Sequence, residues 1–176
     1  MRLKQYIIEG KKLENPMIGF GFKYNDIKNV VDFIESELIQ ENIKYQHPDD
    51  YHLSLAQIQG TYDKDELVRT VHSLKLNYKL KPLNIKILRG KRVPKDFIVI
   101  EYKPNERFVK EFMDISKEYT TIKFGKIIPH ISLFTVKKGI ISDSFIKSLN
   151  SSITLKSVKP TEVQIWNIKH EKEYIK

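Results

Sequence analysis

The stretches "YHLSLAQIQG" at residues 51–60 and "PHISLFTV" at residues 129–136 carry one pattern twice: histidine, apolar residue, serine, leucine. Along an extended chain, residues i and i+2 face the same side. His52 and Ser54 therefore share a face, and Leu53 and Leu55 take the other. The same holds for His130 and Ser132 against Ile131 and Leu133. The leucine faces are expected to pack under helices, leaving the His/Ser faces to line a groove. A lone histidine on a strand is more often a satisfied polar residue than a catalyst. A matched pair, half a chain apart, points instead to a site built twice.

The elements around the motifs repeat as well. "MIGFGFK" (17–23) reads as a strand. A helix follows, capped by Asn25 or Asp26, with Ile27, Val30, Val31, Ile34 and Leu38 on its apolar stripe. After the first motif, Asp63 and Glu66 suggest a capping box for a helix through Leu67, Val68, Val71 and Leu74. "PLNIKILRG" (82–90) and "DFIVIEYK" (96–103) read as a hairpin. Pro104 and Asn105 open a helix with Phe108, Phe112, Ile115 and Tyr119 on one stripe. After the second motif, Ser142 caps a short helix with Phe145, Ile146 and Leu149 inward. "SITLKSV" (152–158) and "EVQIWNIK" (162–169) read as two closing strands. The expected fold is α+β: one domain over residues 1–176, with two lobes related by a pseudo-twofold axis. One lobe contains 17–75 and the other 104–150, with strands near 82–103 and 152–169 completing the sheets.

Composition bounds the chemistry. The chain has 176 residues, 40% hydrophobic and 30% charged, which is the balance of a globular protein. It has no cysteine, which excludes disulfides, thiolate catalysis and cysteine-ligated metals. The net charge of +9 favours anionic partners such as nucleotides or RNA. The beginning, "MRLKQYIIEGKKLENP", is charged and lacks the apolar core of a signal peptide. No apolar run approaches the length of a membrane span. These features lead to the expectation of a cytoplasmic protein with a nucleotide or oligonucleotide substrate, no membrane association and no indicated protein partner.

Two imidazoles and two hydroxyls suit phosphodiester chemistry. Near neutral pH one histidine can accept a proton from an attacking hydroxyl while the other donates one to the leaving oxygen. Serine hydroxyls can donate hydrogen bonds to the phosphoryl oxygens where charge gathers. No metal or other cofactor is expected: no H-E-x-x-H or H-x-x-E-H spacing occurs, and there is no G-x-S-x-G elbow for serine nucleophile chemistry. His47, in the turn-like "YQHPDD", is read as exposed. His72 and His170 lack any partner motif. Trp166 and Tyr102, on expected strands, are candidates for stacking on bases, although an aromatic so placed is more often core. The competing class is a groove that binds nucleotide or RNA without turning it over. Such a site would favour Lys and Arg over imidazole.

The pair "HLSL" and "PHISL", with Pro129 directly before His130, resembles the two H-x-[ST] signatures of the 2H phosphoesterase superfamily. The resemblance extends through the order of elements over nearly the whole chain. It implies a bilobal α+β fold with antiparallel sheets, helices outside and a central groove, and metal-independent cleavage of nucleotide phosphodiesters. By that resemblance His52 and His130 are the acid/base pair, and Ser54 and Ser132 bind phosphate. Members act on RNA 2′,3′-cyclic phosphates or 2′-5′ oligoadenylate, and viral members destroy cyclic-nucleotide immune signals. A cyclic or 2′-5′ linked oligonucleotide is the favoured substrate here.

Overall fold

The structure is a computed structural model that describes residues 16–74, 78–90, 93–119 and 129–167. Among the described residues, seven strands and four α-helices follow in the order β1 (Pro16–Gly21), α1 (Lys28–Gln40), β2 (Tyr45–Gln46), β3 (His52–Gln57), α2 (Lys64–Ser73), β4 (Lys81–Arg89), β5 (Lys95–Lys103), α3 (Glu106–Glu118), β6 (His130–Lys137), α4 (Asp143–Ser152) and β7 (Glu162–Asn167). One sheet runs β4-β5-β6-β3-β1-β7, and β2 pairs with β6 off that path. The pairings are antiparallel.

The helices start where the sequence offers caps. Asp63 accepts the N–H of Glu66 at 2.8 Å, Asn105 that of Phe108 at 2.8 Å, and Ser142 that of Phe145 at 3.1 Å. Each satisfies a backbone donor that the first helical turn leaves open. Neither Asn25 nor Asp26 caps α1. They lie in a 3-10 turn at Tyr24–Asp26, and Ile27, the residue before α1, makes no side-chain cap. The apolar stripe is as expected: Ile27, Val30, Val31, Ile34 and Leu38 are all buried.

"SITLKSV" does not form the expected strand. Ser152 ends α4, and of the rest only Val158 makes a β-bridge, to Leu80. The chain has already spent that stretch on leaving the helix, and a single rung back to Leu80 is all that remains. The two-residue β2 carries no strand signal of its own; it exists because β6 has an open edge at Thr135 and Val136.

The element order repeats about the β6/β3 boundary. β1-α1-β3-α2-β4 and β5-α3-β6-α4-β7 are equivalent runs. The last strand of each lies beside the first strand of the other: β4 pairs with β5, and β7 with β1. The runs are therefore interlocked by exchanged edge strands, a connectivity that the sequence pattern did not indicate. Phe20 of β1 meets Phe108 of α3 edge-on at 6.2 Å, which places α3 on the leucine side of the sheet. The apolar core collects there, with Leu53, Leu55, Ile131 and Leu133 each at most 3% exposed.

Candidate active site

Strands β3 and β6 meet at Leu53 and Ile131. In an antiparallel pair, the residues flanking that contact come opposite one another. Ser54 then faces His130, and His52 faces Ser132, all on the side of the sheet away from the leucines. In a regular antiparallel pair, directly opposed side chains have Cβ atoms about 4.5–5.5 Å apart and diagonal neighbours, the relation of the two histidines, about 7–8 Å. The two motifs, distant in sequence, thus form one four-cornered cluster.

Each motif has a bulge at the same place. Ile18 pairs with Ala56 but Gly19 with Ser54, so Leu55 is the extra residue on β3. Ile98 pairs with Phe134 but Val99 with Ser132, so Leu133 is the extra residue on β6. A bulge sets two residues against one and bends the strand. Its imprint is a shared burial pattern: half-buried histidine, buried residue, half-buried serine, then two successive buried residues. The expected alternation holds through the serine and then shifts phase. Strict alternation would have brought Ala56 and Phe134 out of the core; both are buried.

The neighbouring strands complete the face. Beside β3, Gly19 and Gly21 stand opposite Ser54 and His52. Beyond them, Gln164 and Glu162 of β7 stand opposite the same two glycines. On the other flank, Val99 and Glu101 stand opposite Ser132 and His130. Glu101 is 6% exposed, and the half-exposed Lys86 of β4 donates to it at 3.2 Å.

The other candidates separate from this cluster. Tyr102 is wholly buried and belongs to the core, so the expectation that it stacks on a base is wrong: the residue after Glu101 turns to the opposite face. Burial raises its phenol above the usual tyrosine range, and its hydroxyl has no hydrogen-bond partner among the described residues. Trp166 lies in β7 opposite Met17, and its side chain is outside the described residues. His72 is exposed in the last turn of α2. His170 lies outside the described residues. His47 is exposed, as expected, yet is held in place. Its Nε2 lies 2.9 Å from Glu35 and its Nδ1 3.1 Å from the Tyr51 hydroxyl. The Tyr45 hydroxyl also donates to Glu35 at 2.6 Å. The hydrogen bonds from Tyr45 and His47 hold the Glu35 carboxyl below the usual range, and burial pushes the Tyr51 phenol up to about 12. This chain ties α1 to the segment that leads into His52.

Sequence reasoning missed Glu101, Glu162 and the two glycines. Their signals are visible afterwards: an acidic residue inside the apolar "FIVIEYK", and an alternating "GFG" inside a strand, where glycine marks close approach by another group. Among the described residues, no group of three or more His, Cys, Asp or Glu side chains is placed to hold a metal ion, and no helix is long and apolar enough to cross a membrane.

No family sequence model matches the chain, and no curated protein matches it by sequence. Solved structures do. The chain is similar to E. coli LigT complexed with 3′-AMP, at 12% identity and a TM-score of 0.54, over 88% of this chain and 87% of that one. It is similar to Kluyveromyces marxianus Usb1 at 10% identity and a TM-score of 0.55, over 86% and 93% of the two chains. A third structure, a phosphoesterase, aligns at 11% identity and a TM-score of 0.50, over 86% of each chain. At such identities the likeness is one of fold, and the fold is the α+β arrangement expected from the two motifs.

Proposed function

We propose that the chain is a metal-independent phosphodiesterase that cleaves a nucleotide phosphodiester bond with two histidines. The observation that carries this reading is the pairing of Leu53 with Ile131, which sets His52, Ser54, His130 and Ser132 around one point of the sheet. The fold shared with LigT, which was solved with 3′-AMP, supports a nucleotide as the class of ligand.

The chemistry follows from the residue types. A neutral imidazole removes a proton from water, or from a ribose hydroxyl of the substrate, as its oxygen forms the new bond to phosphorus. The bond from phosphorus to the leaving oxygen breaks, and the protonated imidazole gives that oxygen its proton. The serine hydroxyls donate to the non-bridging oxygens, where negative charge rises in the transition state. After one turnover the two rings have exchanged protonation states, and exchange with solvent restores them. Which histidine begins as base depends on the direction in which substrate binds, because the cluster is nearly symmetric.

Within this class, a cyclic or 2′-5′ linked oligonucleotide signal is the substrate we favour. The net charge of +9 suits a compact polyanion. An RNA end carrying a 2′,3′-cyclic phosphate is the second reading, favoured by the LigT complex with a mononucleotide. The test is incubation in EDTA with cyclic dinucleotides, 2′-5′ oligoadenylate and RNA ending in a 2′,3′-cyclic phosphate, with products identified by mass. Cleavage of one phosphodiester class is expected. Wild-type protein that binds these compounds and cleaves none would be a binding module instead.

A further inference from the structure

His130 and His52 occupy equivalent places, but their outer neighbours differ. Opposite His130 on β5 stands Glu101, buried, its side chain on the His/Ser side of the sheet. Opposite His52 on β1 the equivalent residue is Gly21. The repeat therefore lacks a carboxylate on one side. The space is nevertheless filled by one. A Cβ built on Gly21 would lie 2.6 Å from Glu162 Oε1, 2.7 Å from its Cγ and 2.8 Å from Gln164 Nε2. That Cβ points to the same side as the His52 side chain, since directly paired residues share a face. Glu162 of β7 thus fills the space over Gly21 on the His/Ser side of the sheet, the place that corresponds by the repeat to the Glu101 side chain.

Both carboxylates are held by a neighbouring donor. Lys86 donates to Glu101 at 3.2 Å, and Gln164 Nε2 donates to Glu162 Oε1 at 2.7 Å. The buried Glu101 carboxylate in particular needs such compensation. A residue that merely filled space on a half-buried strand would not need to be acidic. Any larger residue at 21 would put its Cβ into the Glu162 and Gln164 side chains, so the bare glycine is what lets them approach.

We propose that Glu101 and Glu162 are positioning residues for His130 and His52: each sets the orientation of one imidazole and offsets the positive charge that ring carries while it holds the transferred proton. The role is that of a carboxylate beside a catalytic imidazole generally, supplied here from the adjacent strand on one side and from the next strand over on the other. The proposal rests on the phosphodiesterase reading for its role in turnover, though not for the placement itself.

The test uses Glu101→Gln and Glu162→Gln in the full chain, with Glu101→Asp and Glu162→Asp as conservative partners. On whichever phosphodiester the wild type cleaves, each Gln variant is expected to lose about tenfold or more in kcat with KM within about twofold, and the Asp variants to recover part of the loss. Nitrogen-15 spectra of the histidine rings give a second readout that needs no turnover. Glu101→Gln should move the ring signals of His130 and leave those of His52, and Glu162→Gln the reverse. Unmoved ring signals in both folded Gln variants, or a loss confined to KM, would overturn the proposal. If the wild type cleaves nothing, the phosphodiesterase reading falls, while the ring spectra still decide whether each carboxylate attends its histidine.

Discussion

Leu53 and Ile131 pair across the centre of the sheet, and neither is more than 1% exposed. This one contact joins two segments from opposite halves of the chain and places two histidines and two serines at the four corners around it. Leu53→Ala should therefore do two things. It should destabilise the protein by about 2–5 kcal/mol, as burial of a large side chain is lost and a cavity left. It should also loosen the cluster, lowering turnover even at temperatures where the variant is folded. Thermal unfolding followed by circular dichroism, with turnover measured well below the midpoint, separates the two effects.

Replacing His52 or His130 with alanine should leave a folded protein and remove turnover by about 10²–10⁴. Ser54→Ala or Ser132→Ala should cost less, about 10- to 100-fold, since one donor to a charged oxygen is lost and its twin remains. Initial rates on the cleaved substrate, with folding checked by circular dichroism, decide the matter. Near wild-type rates in either folded histidine variant would remove that residue from the mechanism.

A reaction that needs one neutral and one protonated imidazole should give a bell-shaped rate against pH, whose limbs belong to the pair and not to either ring alone. The same rates should persist in EDTA. Loss of activity on chelation, with rescue by a divalent ion, would contradict the two-histidine mechanism.

Gly21→Ala tests the glycine without replacing a charged group. The atoms a methyl would meet are the Glu162 and Gln164 side chains, which can move. Stability should fall by less than about 1 kcal/mol, within the ordinary range for a substitution that flexible side chains absorb. The displaced Glu162 should nonetheless lower kcat. An unchanged kcat in this variant would show that the position of Glu162 is immaterial.

Asp96 governs stability rather than chemistry. It is wholly buried at the start of β5, where it accepts from Arg89 at 2.8 Å, from the N–H of Gly90 at 3.2 Å and from the N–H of Gly139 at 2.9 Å. Burial works against its charge, but the N–H of Gly139, the Arg89 guanidinium and the N–H of Gly90 together hold the carboxyl below its usual value. A carboxyl lowered in the folded state adds stability above its unfolded pKa, and that stability is lost as pH falls through the folded pKa. The wild-type melting temperature should accordingly drop as pH falls below about 4. Asp96→Asn should melt lower at pH 7 and show less of that acid dependence in calorimetry.

Much of the architecture was legible in the chain. Apolar periodicity marked the four helices, and Asp63, Asn105 and Ser142 announced three of their starts, because a cap is a local bargain between one side chain and the next turn. The doubled H-x-S pattern marked the candidate site residues and their shared face, since alternation along a strand is a property of a few consecutive residues. The local pattern could not say which strand edges pair. Backbone donors and acceptors are alike at every residue, so the meeting of β3 with β6, the exchange of β4 and β7, and the use of β6's open edge by Tyr45 and Gln46 were settled by how the whole apolar face closes over its core. The paired bulges at Leu55 and Leu133, the burial of Tyr102, and the placing of Glu101 opposite His130 and of Glu162 opposite Gly21 all follow from that closure. They are relations between strands, and a strand does not encode its neighbour.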